Sequence, residues 1–143
     1  MPAPLILLPP SEGKAAGGEG PRWDAAEQSF ADLADARREV IAALVEAMGG
    51  SAEARSKLLG VKATRADEAT ETNLTVPSAP TMSAIDRYTG VLYDALDYPS
   101  LPAKVRRGVD RQVVVFSGLW GAVRPTDPIP DYKLKMGATL PGL

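Results

Sequence analysis

Val113–Gly137, VVVFSGLWGAVRPTDPIPDYKLKMG, is the stretch on which the reading of the whole chain turns. Its first four residues, Val113 to Phe116, are apolar and mostly β-branched, the pattern of a strand buried on both faces. The strand breaks at Ser117-Gly118-Leu119-Trp120-Gly121, where two glycines three apart let backbone pass close to something a side chain would block. Pro125, Pro128 and Pro130 then fix φ at three places and remove three backbone donors. Tyr132-Lys133-Leu134-Lys135-Met136 alternates apolar and cationic residues, which predicts a half-buried strand with both lysines on one face. A proline-stiffened bend that joins Arg124 to Lys133 and Lys135 is expected to hold an anion.

Working outward, 143 residues suffice for one domain, 1–143, around a single core. The chain has no cysteine, which removes disulfides and thiolate chemistry, and no histidine, the commonest general base near neutrality. Only carboxylates remain as metal ligands, so no metal site and no cofactor are expected. No run approaches the ~20 apolar residues of a membrane helix. The apolar start lacks a basic n-region and a cleavage site, so a cytoplasmic protein is expected. The net charge of -2 is unevenly spread. Residues 101–143 carry seven Lys/Arg against three Asp, a balance of +4, and the first hundred carry nine against fifteen, or -6. That asymmetry fits an acidic exterior around a basic surface, and equally a solvated helix face at 104–111.

In chain order, Pro4–Leu8 reads as a short core strand running into Ser11-Glu12-Gly13-Lys14. This polar, glycine-bearing loop resembles phosphate-handling loops in outline, and it also fits an exposed turn. Gly17, Gly18 and Gly20 predict a mobile segment up to Pro21. Asp32–Met48 is the clearest helix, with Leu33, Val40, Ile41, Leu44, Val45 and Met48 on one stripe. Ser51 caps a helix to Leu59, and Thr64 with Asp67 suggests a capping box for another reaching Asn73. Gly60-Val61-Lys62 between them has the outline of a helix-hairpin-helix phosphate grip, or of an ordinary αα-hairpin. Ser83 to Tyr88 opens a short helix, and Gly90 marks a close backbone approach. Tyr88, Tyr93 and Tyr98 serve either as core aromatics or as ligand contacts. Ser100-Leu101-Pro102 starts a helix to about Arg111.

Three islands, LLPPSEGK at 7–14, YTGVLYDAL at 88–96 and FSGLWGAVRPTDPIPDYKLKMG at 116–137, closely resemble the YaaA family of peroxide-stress proteins (DUF328, UPF0246) in order and separation. The resemblance covers nearly the whole chain but only the N-terminal part of the family's length, as a fragment or a truncated gene product would. It implies a mixed α/β (α+β) architecture of the family's "cantaloupe" type, here incomplete: a short mixed sheet with surrounding helices. It also implies a cytosolic protein of the oxidative-stress response that binds DNA through a basic cleft. Carried onto matching positions, that cleft comprises Ser11, Lys14, Gly90, Tyr93, Ser117, Gly118, Arg124, Tyr132, Lys133 and Met136-Gly137. Charge adds Lys135 and the hairpin Gly60, Val61 and Lys62. DNA contact of this kind is sequence-independent and salt-sensitive. The alternative is an enzyme acting on a nucleotide or phosphorylated small molecule in the same cleft. Its acid–base work would fall to Glu12, Asp131, a tyrosine or a lysine with a shifted pKa.

Overall fold

The fold, taken from a computed structural model, is described for residues 3–143. Val113–Ser117 (β4) is the middle strand of a three-stranded sheet. Ile6–Leu8 (β1) runs parallel to it on one side and Gly121–Val123 (β5) antiparallel on the other. Val113, Val114 and Val115 are buried, as the apolar run predicts, but Phe116 is 38% exposed, so burial on both faces ends one residue early. The expected core strand at the N-terminus is an edge strand instead. It pairs only with β4, and Leu5, Ile6 and Leu7 are 61%, 43% and 56% exposed. An apolar run reports strand propensity, not which side of it is covered.

A second, antiparallel sheet joins Gly20–Arg22 (β2), Pro80–Ser83 (β3) and Pro128–Ile129 (β6). Its first strand corrects the expectation of a mobile glycine segment. A Cβ on Gly18 or Gly20 would collide with Thr81, so these glycines permit two backbones to approach.

Six α-helices surround the sheets: α1 Ala34–Ala47, α2 Ala52–Leu59, α3 Ala63–Leu74, α4 Ala84–Arg87, α5 Val91–Leu96 and α6 Ala103–Gln112. The architecture is the expected mixed α+β class, with two small sheets where one was expected. On α1, Ile41 and Leu44 are buried, and Met48 just past its end packs into the same cluster. Ser51 Oγ accepts the Ala54 N–H, and Gly60 ends α2 at φ 65. The Thr64/Asp67 capping box does not form, because α3 begins two residues earlier, behind Lys62. Gly90 opens α5 at φ 109 with open space around it, so its freedom serves the turn and not a close approach. Among the described residues no helix is long and apolar enough to cross a membrane.

Irregular backbone is stitched together by buried polar side chains. Arg37, 1% exposed, donates to the carbonyls of Trp120 (2.9 Å), Ala122 (2.7 Å) and Phe30 (3.4 Å). Arg87, fully buried, donates to those of Ala15 and Ile129. Asp127 accepts from the N–H of Ser29, the hydroxyl of Ser29 and the N–H of Arg124. The stretch Tyr132–Met136 is a further correction: it is not a strand. Tyr132 and Leu134 are buried in alternation, but the partner is a side chain on α3. Asn73 Nδ2 donates to the Lys133 carbonyl at 2.9 Å, and the Lys133 N–H donates to Asn73 Oδ1 at 2.8 Å. One amide thus supplies both hydrogen bonds of a missing neighbour strand.

Candidate functional site

The loop after β1 is sewn to the segment before α5 along its length. Lys14 and Tyr88 form an antiparallel bridge, the Ala15 N–H donates to Arg87 O, and the Thr89 N–H donates to Gly13 O. Ser11 Oγ donates to Gly13 O at 2.5 Å and accepts the Thr89 N–H at 3.1 Å. The Tyr93 hydroxyl donates to Pro9 O at 2.5 Å. These contacts make Ser11 and Tyr93 the fasteners of the loop, and they present Lys14.

Lys14 Nζ lies 4.3 Å from the centre of the Tyr132 ring and 6.0 Å from that of Tyr88. It donates to the Glu12 carbonyl at 3.3 Å. Among the described residues no carboxylate comes within ion-pair distance of it. Burial and then the nearby Lys133 ammonium push its pKa down to about 8, against the opposing pull of Asp131 and Glu12. Asp131 Oδ1 is buried with no hydrogen-bond partner.

Beneath the lysine runs a chain of hydroxyls. Ser117 Oγ accepts the N–H groups of Leu119 (3.2 Å) and Trp120 (3.1 Å), which occupies both of its lone pairs. Its single hydrogen therefore goes to the Tyr132 oxygen, 2.8 Å away, and the Tyr132 hydrogen goes to Tyr88, 2.7 Å away. The Tyr88 hydrogen is the free end of the chain. Burial raises the pKa of both Tyr88 and Tyr132, so both stay protonated through the neutral range.

The structure thus brings Lys14, Lys133, Tyr132 and Ser117 to one place, with Tyr93 behind them. Arg124 is not part of it. Its guanidinium donates to the carbonyls of Arg111 (2.7 Å) and Val113 (3.5 Å) and sits 5.3 Å from the Phe30 ring centre. Gly118 is where close approach was expected, but the approaching backbone is that of Leu134 and Lys135, not a ligand. The Lys135 amine lies against Gly60. In the hairpin, the N–H groups of Gly60 and Val61 are engaged by Ser56 O, closing α2 as an αα-hairpin does. Among the described residues no three acidic side chains gather to hold a metal ion. Sequence reasoning missed Asn73 and Arg87. Nothing in a polar helix or beside a tyrosine singles out the residue that will brace distant backbone.

The sequence comparisons agree with this geometry in extent. A family model described as peroxide stress protein YaaA matches residues 5–143. A UPF0246 protein of Streptomyces coelicolor is 48% identical over 140 residues, covering 97% of this chain and 53% of its own length. One from Corynebacterium glutamicum is 42% identical over 137 residues, covering 96% and 53%, and one from Corynebacterium efficiens is 42% identical over 139, with the same coverage. The chain therefore spans about half the length of the curated relatives it matches. By this match over nearly its whole length, the chain belongs to the YaaA (UPF0246) family of peroxide-stress proteins.

Proposed function

We propose that this chain forms part of a DNA-binding peroxide-stress protein and that the Lys14–Lys133 recess is its phosphate contact. The observation that carries the reading is the Lys14 ammonium held 4.3 Å from the centre of the Tyr132 ring, with Lys133 the next residue along and, among the described residues, no carboxylate in ion-pair range of Lys14. Like charges held together destabilise the free protein, and a phosphate bound between them relieves the repulsion. α6 adds Lys104, Arg106, Arg107 and Arg111, on a helix with no buried residue, as a further run of exposed charge. In the α2–α3 hairpin the engaged Gly60 and Val61 N–H groups leave Lys62 and the adjoining Lys135 as the contacts.

The test is duplex affinity by fluorescence anisotropy across a salt series. Each lysine–phosphate contact contributes about one unit to the log–log salt slope, so Lys14→Ala with Lys133→Ala should flatten it by about two. Equal slopes for the variant and the parent would overturn the reading. The alternative, an enzyme acting on a nucleotide or phosphorylated small molecule, is favoured by the unpartnered, buried Asp131 Oδ1. A proton acceptor next to an amine is of no use to a surface that only grips phosphates.

A further inference from the structure

We propose that Lys14 is a nucleophile that condenses with an aldehyde carried on a phosphate-bearing molecule, forming an imine. The inference rests on the recess reading above and assigns it a reaction. Three features of the geometry converge on it. Lys14 is partly buried against the faces of Tyr132 and Tyr88, and among the described residues it has no carboxylate partner to hold its proton. A second lysine, Lys133, stands beside it, the arrangement by which one cation keeps another amine in its neutral, nucleophilic form. A buried carboxylate oxygen, Asp131 Oδ1, stands in the same neighbourhood with no donor of its own.

A lysine kept only for packing would be satisfied by an ion pair. Lys14 has none among the described residues, and its ammonium donates to the Glu12 carbonyl. The depressed titration near 8 agrees with this, since a fraction of the amine is already neutral at pH 7.

The step balances within the site. The Nζ lone pair attacks the aldehyde carbon, and the carbonyl oxygen takes up a proton to give a carbinolamine. The nitrogen then gives a proton through one water to Asp131, the hydroxyl leaves as water with a proton returned to it by the same route, and a C=N bond replaces C=O. Lys133 holds the phosphate, and a solvent water supplies the proton to the carbonyl oxygen. No metal and no redox partner enter the reaction.

The experiment uses the 143-residue chain with sodium cyanoborohydride, which reduces an imine to a stable secondary amine. One arm contains glyceraldehyde 3-phosphate and the other a duplex oligonucleotide bearing a single abasic sugar aldehyde. Peptide mapping follows the distribution of adducts over the six lysines. The expected result is at least tenfold preference for Lys14 over the exposed Lys57, Lys62 and Lys104, with a rate that rises to a plateau near pH 8. Preference in the first arm alone identifies a small metabolite, and preference in the second identifies damaged DNA. Lys14→Arg, which keeps the positive charge, should abolish the specific adduct but retain the salt slope of duplex binding. Adducts spread evenly over the lysines in both arms would overturn the inference. An unchanged salt slope in the double variant, with Lys14 trapped in the parent chain, would instead overturn DNA contact and leave the reaction standing.

Discussion

Replacing Asn73 by leucine tests whether one buried amide both holds the fold and sets the site. Asn73 is fully buried and, among the described residues, makes the only hydrogen bonds between α3 and the backbone of Lys133, at 2.9 and 2.8 Å. Leucine is close in volume and leaves the Lys133 N–H and C=O without partners. Each of the two unmade buried bonds costs about 1–3 kcal/mol, and added apolar contact near Met48 offsets about 1 kcal/mol, for a net loss of about 1–5 kcal/mol. For a chain of this length that lowers Tm by roughly 3–17 °C. A second effect follows at the recess. With Lys133 no longer fixed, the neighbour that helps depress Lys14 moves away, and the Lys14 pKa rises from about 8 towards 10.5. Urea denaturation followed by the fluorescence of buried Trp120 measures the first effect, and NMR titration of the Lys14 side chain the second. Asn73→Asp supplies a control. Its carboxylate faces the Lys133 carbonyl, so it should be worse than leucine at pH 7 and recover in part in acid, when the protonated acid can donate. A loss below 1 kcal/mol would refute the bracing role. A Lys14 midpoint that stays at 8 in Asn73→Leu, yet moves in Lys133→Met, would refute the coupling.

Asp127→Ala removes the acceptor for the Ser29 N–H, the Ser29 hydroxyl and the Arg124 N–H together. It should cost about 3–5 kcal/mol by chemical denaturation, more than Asp35→Ala, whose exposed pair with Arg38 should measure under 1 kcal/mol. Stability should also depend on pH through two opposing groups. Lys14 titrates near 8 folded and 10.5 unfolded, so between those values the unfolded chain binds the extra proton and stability rises, by about 2 kcal/mol up to pH 10. Tyr88, Tyr93 and Tyr132 are raised by burial, so their contribution is present below pH 10 and is lost above it, as the unfolded tyrosines ionise. Denaturation midpoints should therefore peak near pH 10 in the parent chain, and the climb from pH 8 should vanish in Lys14→Met.

What the sequence disclosed follows from local chemistry. The α1 stripe, the Ser51 cap and Gly60 stop of α2, and the Val113–Val115 run each carry their cause within a few residues, and each stands where the pattern put it. From local pattern Lys14 and Lys133 were legible only as charges, and it was the family resemblance that put both in one cleft, since nothing local brings residue 14 beside residue 133. Arg124 shows the limit from the other side. A cation in a proline-rich bend suggests an anion site, yet its Nη1 is directed at the Arg111 and Val113 carbonyls. Alternation at 132–136 gave the right burial for Tyr132 and Leu134 and the wrong element, because a hydrogen-bonded ladder needs a partner strand that only the tertiary arrangement provides.

The pairing of β1 with β4 also governs the order in which the molecule can assemble. Ile6 lies opposite Val113, so the contact closes a loop of about a hundred residues, and loops of that length close late and slowly. During synthesis the N-terminal strand emerges first and must wait, unpaired and apolar, until nearly all of the described chain has left the ribosome. The α1–α3 helices, which are adjacent in sequence and pack on one another, can form meanwhile. The vulnerable interval for this protein is therefore the time between the appearance of Leu5-Ile6-Leu7 and the arrival of β4. Agents that bind extended apolar segments during translation would act on the yield of folded protein and not on its final stability.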